Sequence, residues 1–290
     1  MSLSEVSPPP RTVLSVLRKY WRILQISMIE RLTYRADWML TTFLRFLPMV
    51  TTILLWTAIY RGARGESQDL DDVSLKNFSL NQVISYLLLV HISRMFSSMP
   101  GLASGIARDV REGTLKKYLL QPLDMLSYLL FYRVAHKIAY MISVALPYGV
   151  LFFICRHYFP GWPDFSTMCL YFASLLLAFV IGFHFESCLG MVGFWFLEVS
   201  SLLYIVNMLN YFVSGHMFPI DLLPEPWPDV LKLLPFQYLA YFPAAIFLGK
   251  VPDGELVRGF LLGVVWAIAL ITLARWLYSR GLKRYSAFGG

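Results

Sequence analysis

Charged residues are scarce in this sequence. They make up 15% of its 290 residues, whereas a soluble domain carries about a quarter, so an ordinary soluble domain is excluded. Hydrophobic residues supply 57% and gather into runs of about 20 residues, the length with which an α-helix crosses a bilayer. The runs do not alternate as the strands of a barrel would, so we predict an all-α protein that crosses the membrane several times.

Cysteine is rare as well. The three cysteines, Cys155, Cys169 and Cys188, show no spacing typical of metal ligands, and we expect them to be small apolar packing residues. The sequence FHFES brings His184 and Glu186 together, but a separation of two positions places them on different faces of a helix. We therefore expect no metal site, and we favour a buried hydrogen bond that fixes helix packing.

An ATP-binding motif is absent. A Walker A loop needs Gly-x-x-x-x-Gly-Lys followed by Ser or Thr, because its backbone amides wrap phosphates. The one Gly-Lys pair, Gly249-Lys250, is followed by Val251 and lacks the first glycine. We expect no enzymatic activity, no catalytic residue and no cofactor in this chain. The N-terminal region also lacks the compact apolar stretch of a signal peptide, so the first span should act as an uncleaved insertion signal.

Six apolar runs predict six transmembrane helices. Lysine and arginine are concentrated in the segments on the same side as the N-terminus, which the positive-inside rule assigns to the cytoplasm. An even number of spans brings the C-terminus to the same side. The net charge of +7 is then a signal of topology, and nothing in it suggests nucleic-acid binding. The expected spans are residues 37–60, 82–104, 125–155, 166–194, 199–217 and 256–278.

The segments around the spans differ from one another. Residues 1–36 should form a cytoplasmic N-terminus with a basic amphipathic helix on the membrane surface. Residues 218–248 contain six prolines among aromatic residues, which predicts broken helices that rest in the outer interface or dip slightly into it. Residues 37–278 are then the six-helix domain and 279–290 a cytoplasmic tail. The residues that mark the amphipathic helix are Arg18, Lys19, Trp21 and Arg22.

A short charged stretch, REGTLKKYLLQPL, separates the second and third spans. Gly113 interrupts the preceding helix, a new short helix begins at Thr114, and Pro122 ends it. The residues alone permit two interpretations, a polar loop anchored by positive charge or a docking helix for a cytosolic partner. The new helix has two faces, an apolar one with Leu115, Tyr118 and Leu119 and a charged one with Lys116 and Lys117.

Three parts of the sequence resemble ABC type-2 exporter permeases. IARDVREGTLKKYLLQPLDMLSYLL, residues 106–130, resembles the first cytoplasmic segment of that family, and SGHMFPIDLLP, residues 214–224, resembles its small-Gly-x-x-x-Pro segment after the fifth span. The ending RGLKRYSAFGG is similar to that of a subgroup of small permeases. The order of the parts matches too, with an amphipathic helix, six spans and a proline-rich external region before the last span.

The resemblance implies a partner that hydrolyses ATP. The charged stretch, about residues 106–121, would be a coupling helix seated on a cytosolic ABC ATPase dimer that holds ATP and Mg²⁺, and the N-terminal helix would be a connecting helix that also touches it. The chain would form half of an export path in the bacterial inner membrane, together with a sister permease or a second copy of itself. The implied contact residues are Arg108, Asp109, Arg111, Glu112, Gly113, Thr114, Leu115 and Lys116.

The second and fifth spans of such permeases line the path. Flexible methionine and flat aromatic residues suit a hydrophobic or amphiphilic substrate such as a drug or a lipid, although plain packing between helices would also account for them. Arg45 would either snorkel to the inner interface or face the interior and pair with Glu186 or Glu198. A proton-coupled secondary transporter that uses Arg45, His184 and Glu186 is the alternative function. The candidate path residues are Arg45, Asn207, Met208, Asn210, Tyr211 and Phe212.

Overall fold

The computed structural model describes residues 13–33, 35–63, 74–76, 78–121, 123–159, 161–196 and 198–285. Most of them are helical, and two short strands, β1 (Ser74–Leu75) and β2 (Phe78–Ser79), form an antiparallel hairpin. The helices are α1 (Val13–Thr33), α2 (Arg35–Ala63), α3 (Leu80–Ser97), α4 (Leu102–Arg111), α5 (Lys116–Leu119), α6 (Met125–Ile154), α7 (Phe165–Met191), α8 (Ser200–Val213), α9 (Trp227–Leu233), α10 (Tyr241–Phe247) and α11 (Asp253–Tyr285). Short 3₁₀ turns lie at Cys155–Tyr158, Val192–Phe194, Ile220–Leu222 and Pro235–Leu239.

Within these described ranges, five stretches are apolar and long enough to cross a bilayer, which confirms an all-α membrane protein. The predicted span at residues 199–217 corresponds to α8, which has 14 residues and is about 21 Å long at a rise of 1.5 Å per residue. The hydrocarbon core is about 30 Å thick, so α8 alone is too short to cross it. The five stretches are Phe46–Ala63, Leu80–Arg111, Met125–Tyr158, Phe165–Phe194 and Gly254–Tyr285.

The centre of the fold is α7, because α3, α4, α10 and α11 all pack against it. Its glycines let neighbouring backbones come close, as small residues do between membrane helices. A Cβ on Gly182 would lie 2.1 Å from the carbonyl oxygen of Ser97, and a Cβ on Gly190 would lie 2.7 Å from that of Ala103. These contacts fix α3 and α4 against α7.

The second span is broken into two helices. α3 ends at Ser97, and α4 begins at Leu102 after a turn in which Gly101 has a φ of +73°. Pro100 lies in this turn, where it supplies no amide hydrogen and disfavours a helical conformation at the residue before it. The single helix predicted for residues 82–104 is therefore discontinuous.

Two cations of α6 bond to carbonyl groups at this break. Lys137, 7% exposed, donates from Nζ to the carbonyl oxygens of Met95 and Ser98, and Arg133 donates from Nη1 to that of Pro100 at 2.9 Å. The last carbonyls of a helix have no partner within it and carry partial negative charge. Inside a membrane no water can satisfy them, so the two cations stabilise the broken span.

The proline-rich segment between α8 and α11 turns back into the bundle. Its 3₁₀ turn Pro235–Leu239 packs against α3 and α7, and the carbonyl oxygen of Leu239 accepts a hydrogen bond from Ser97 Oγ at 2.6 Å. A Cβ on Gly263, which lies ten residues or about 15 Å along α11, would be 2.8 Å from the ring of Tyr238. The segment therefore reaches the level of the α3–α4 break, deeper than the slight dip that its composition suggests.

The N-terminal helix α1 lies along α6. The ring of Tyr20 stacks on that of Phe131 with centroids 4.6 Å apart, whereas Arg18, Trp21 and Arg22 are exposed. Residues 1–12 of the predicted N-terminal segment and 286–290 of the predicted tail lie outside the described residues.

Candidate functional site

The α4–α5 segment, residues 102–119, is built around a glycine turn. Gly113 has a φ of +71°, a conformation that residues with a Cβ rarely adopt. The amide of Leu115 donates a hydrogen bond of 3.0 Å to the carbonyl oxygen of Asp109, which closes the turn. The interruption at Gly113 and the short helix after it follow the pattern predicted from the sequence, with α5 beginning at Lys116 rather than at Thr114.

Asp109 ties α4 to α5. Its carboxylate accepts a hydrogen bond from Thr114 Oγ1 at 2.8 Å and pairs with Lys117 Nζ at 2.8 Å. Desolvation lowers the pKa of Lys117, but the hydrogen bonds and charges of Asp109 and Tyr118 together raise it by more, so the net shift is upward. The ammonium side chain is half exposed, so the ion pair stabilises the segment by less than about 1 kcal/mol and mainly sets its geometry.

The apolar face of the segment anchors it to the bundle. Leu115 is 0% exposed and Tyr118 is 8% exposed, and both pack in a cluster with Met125 and Leu126 at the start of α6. Leu119 was predicted to share this face but is 46% exposed. The remaining side of the segment is charged and faces outward, with Arg108, Arg111, Glu112, Lys116 and Lys117 exposed.

Glu198 links this charged surface to α8. Its carboxylate pairs with Arg111 Nη1 at 3.1 Å and accepts a hydrogen bond from the amide of Ser200, the first residue of α8, at 2.8 Å. The hydrogen bonds from Ser200, followed by the charge of Arg111, lower the pKa of Glu198. A cleft of about 320 Å³ lies between α4 and α8, and Arg108, Arg111, Glu198 and Ser200 are among its lining residues.

The predicted path residues of α8 are divided between two faces. Met208, Tyr211 and Phe212 are 55%, 43% and 43% exposed, and Asn207 is exposed with them, whereas Asn210 is 4% exposed and faces the interior. The side chain of Arg45 lies outside the described residues. α8 thus presents a largely apolar outer surface, with an amide on its buried side.

His184 and Glu186 diverge from each other on α7. His184 Nδ1 contacts the carbonyl oxygen of Val180 in its own helix at 2.8 Å. Glu186 lies within electrostatic range of Arg94 and Arg133. The separation of two positions directs the two side chains to different neighbours, so the hydrogen bond we favoured for this pair is made within α7 instead.

Sequence reasoning did not identify Lys137 and Arg133 as parts of a site. Both follow the start of the third span, where basic residues are typical topology anchors. The available signal was Met99-Pro100-Gly101 inside the second apolar run, because a break within a span leaves carbonyl groups that need donors.

Comparison with known proteins yields one family. The profile of a family described as ABC-2 family transporter protein matches residues 46–289, which is most of the chain. No curated protein matches the sequence. The family match includes the α4–α5 segment, the cleft beside α8 and the broken second span.

Proposed function

The chain belongs to the ABC-2 family of transporter proteins, and from this premise we propose that it is the membrane-spanning subunit of an ATP-driven exporter. The energy comes from a separate cytosolic ATPase dimer that binds ATP and Mg²⁺, because the sequence of this chain has no Walker A motif. A second permease subunit, a sister protein or another copy of this chain, completes the translocation path. The complex works in the bacterial inner membrane with both termini of this subunit in the cytoplasm.

The geometry of the α4–α5 segment is the observation that carries this proposal. The segment has a charged, exposed surface, and its buried residues Leu115 and Tyr118 pack against the membrane helices. An ATPase that binds the charged surface and moves would therefore also displace these two side chains and the helices that they contact. Two contacts lead from the segment into the membrane helices. Gly190 of α7 packs against the backbone of Ala103, and Arg111 pairs with Glu198 beside the start of α8.

The proposed cargo is hydrophobic or amphiphilic, such as a drug or a lipid. The outer surface of α8 carries Met208, Tyr211 and Phe212, which are exposed, flexible or flat apolar side chains that adapt to varied ligands. The same helix contacts α4 of the broken second span and the 3₁₀ turn Pro235–Leu239 of the proline-rich segment. In the proposed complex these elements face the second permease across the path.

The test is the ATP-driven transport activity of the complex, reconstituted with the ATPase and permease subunits with which the chain co-purifies. Glu112→Lys reverses a charge on the exposed surface without removing a buried contact, and Gly113→Val strains the φ of +71°. Each variant should lower transport and cargo-stimulated ATP hydrolysis at least about tenfold, which corresponds to ~1.4 kcal/mol in binding or coupling. Insertion into the membrane should be unchanged.

The matched control is Glu255→Lys, the same charge reversal at an exposed position near the start of α11. It should leave transport at the wild-type rate. Undiminished transport by both Glu112→Lys and Gly113→Val would contradict the proposal, and so would transport driven by a pH gradient in vesicles that contain no ATP.

A further inference from the structure

One face of α4 is polar, although α4 belongs to the membrane-spanning stretch Leu80–Arg111. Its other face, with Leu102 and Ile106, is buried against the bundle. Polar and charged groups of membrane helices usually face protein or a water-filled space rather than lipid tails, because lipid offers them no partner. The polar face recurs at the spacing of three and four positions that aligns residues on a helix and consists of Ser104, Gly105, Arg108 and Arg111.

This face forms one wall of the cleft of about 320 Å³ between α4 and α8, called the α4–α8 cleft. The opposite wall is the start of α8, with Glu198, Ser200 and Leu203. Ligand pockets usually measure about 300–1,000 Å³, so a cleft at the lower end of this range suits the headgroup and the first part of a chain. A Cβ added at Gly105 would have no atom within 4 Å, which shows that the space beside this glycine is open.

The two ends of the α4–α8 cleft differ in polarity. Arg108 and Arg111 lie in the last turn of α4, at the end that the proposed topology places at the cytoplasmic surface. Gly101 lies ten residues, or about 15 Å, before Arg111, at the break in the second span. Together with Gly105 and Leu203 it lines the deeper part. The cleft is therefore cationic at the membrane surface and carries no charge further in.

Three charged side chains line the α4–α8 cleft, and one of them lacks a counter-ion. The carboxylate of Glu198 is engaged twice, because it pairs with Arg111 Nη1 at 3.1 Å and accepts a hydrogen bond from the amide of Ser200 at 2.8 Å. Arg108 makes no ion pair with any side chain in the described part of the chain. One unmatched positive charge thus lies beside the first turn of α8, where the helix dipole also favours an anion.

We infer that the α4–α8 cleft binds an amphiphile with a phosphate headgroup, which contacts Arg108 while its chain lies toward Gly105 and Leu203. The planar guanidinium of Arg108 can donate two parallel hydrogen bonds to phosphate oxygens. The remaining N–H groups of Arg111 and the hydroxyl of Ser104 supply further donors, and a phosphate monoester has three oxygens to accept them. The inference rests on the proposed function, since it gives the cargo a charged headgroup and a point of entry into the path.

The lining of the α4–α8 cleft favours this ligand over two others. A cation would approach two guanidinium groups, and Glu198, the acid that lines the cleft, is already bonded to Arg111 and Ser200. A soluble anion would use the charged end but leave the deeper part to water, whereas an acyl chain gains free energy by leaving water.

The α4–α8 cleft and the proposed ATPase surface share Arg108 and Arg111 but extend in different directions. Glu112 and Lys116 are exposed on the α4–α5 segment and do not line the cleft. The cleft instead continues along α4 toward Gly101. Binding to the cleft can therefore be measured on this chain without its ATPase.

The test compares two ligands that differ by one phosphate, oleoyl lysophosphatidic acid and monoolein. Each is titrated into phosphatidylcholine nanodiscs that hold the full chain without an ATPase, and native mass spectrometry counts the bound molecules. A failure here is thus independent of a failure of ATP coupling. The wild type should bind the lysophosphatidic acid about tenfold more tightly, or ~1.4 kcal/mol. Arg108→Gln should abolish the preference, and Arg108→Lys should keep part of it, because an ammonium supplies charge without the planar pair of donors.

Gly105→Leu tests the cleft itself, because the larger side chain fills the open space and leaves every charge in place. It should weaken the binding of lysophosphatidic acid at least about tenfold. The matched control for bulk is Gly149→Leu, at a position of α6 where a Cβ would also meet no atom within 4 Å. The matched control for charge is Arg284→Gln, which removes an exposed arginine at the end of α11. Both controls should bind as the wild type does.

Equal wild-type affinity for the two ligands overturns the inference, and so does a preference that survives Arg108→Gln or is lost equally in Arg284→Gln. Undiminished binding by Gly105→Leu overturns the placement in the cleft, whether or not Arg108→Gln folds. Inorganic phosphate that displaces lysophosphatidic acid at equal concentration overturns the assignment to an amphiphile.

Discussion

Single glycines of α7 determine how closely α3 and α4 approach it. At Gly182 the nearest atoms to an added Cβ are backbone atoms of Ser97, which cannot rotate away as a side chain can. Gly105 on α4 is different, because nothing lies within 4 Å of a Cβ added there. Two glycines in neighbouring helices therefore have opposite tolerance for a methyl group.

We predict that Gly182→Ala destabilises the protein by at least about 1–3 kcal/mol, the usual effect of overpacking a well-packed interface. Gly105→Ala should be neutral or stabilising by up to ~1 kcal/mol, because alanine favours a helix over glycine. Thermal unfolding of the two purified variants, followed by fluorescence-detected size-exclusion chromatography, measures both effects. Equal thermal stability of the two variants would contradict the packing argument.

At the residue scale, the sequence predicts those features that depend only on neighbouring residues in the chain. Gly113 was expected to interrupt a helix, and its positive φ agrees with that expectation. The partners of Glu198 and Lys137 could not be predicted, because each partner lies in a segment far away in the chain. Glu198 pairs with a residue 87 positions before it, and Lys137 bonds to Ser98, 39 positions before it.

At the scale of elements, the contact between the α4–α5 segment and α8 depends on one exposed carboxylate. The pKa of Glu198 is lowered from its ordinary value of 4.5 by the hydrogen bonds from Ser200 and by Arg111. A lowered pKa means that the contact is fully present above pH 4.5 and is lost as the pH falls through the lowered value. The contact should therefore persist at neutral and mildly acidic pH.

Spin labels at Ser104 and Ser201, two exposed positions on α4 and α8, can follow this contact. The distance distribution between them should stay narrow from neutral pH down to the ordinary carboxyl value of 4.5 and broaden below it. Glu198→Gln removes the charge and should give the broad distribution at every pH. A transition in the wild type near neutral pH would show that another group controls the contact.

Element boundaries were predictable where the sequence contains residues that interrupt or end a helix. Pro122 and Gly113 bracket the short helix, and α5 lies between them. The break at Pro100 was missed because the apolar run continues past it, and hydrophobicity alone cannot separate one long helix from two collinear ones. The length of α8 was overestimated for a related reason, since the apolar sequence continues into a segment that folds back against α3 and α7.

At the scale of the whole molecule, the order of apolar runs and basic loops predicts a definite topology. The loop before α7 and the α4–α5 segment flank opposite ends of α6. In a background without the native cysteines, Trp162→Cys should react with a membrane-impermeant maleimide in intact cells, because Trp162 is 86% exposed in the loop before α7. Lys116→Cys should react only after the membrane is permeabilised. Labelling of both variants in intact cells would contradict cytoplasmic termini.

The architecture as a whole was more predictable than the packing within it. Long apolar runs lead to membrane helices by physical necessity, since a bilayer offers no other partner for backbone groups. Which helices touch depends on shape, and α7 became the centre because its glycines accept the backbones of α3 and α4.

The capping of α3 by Lys137 has a consequence for how the protein is made. A ribosome releases the nascent chain from its N-terminus, so Met95 and Ser98 enter the translocon before Lys137 has been synthesised, 39 residues after Ser98. Until α6 follows, those carbonyls have no donor in lipid. The second span should therefore stay in the partly hydrated environment of the insertion machinery until α6 has been synthesised, and the second and third spans should enter the bilayer together.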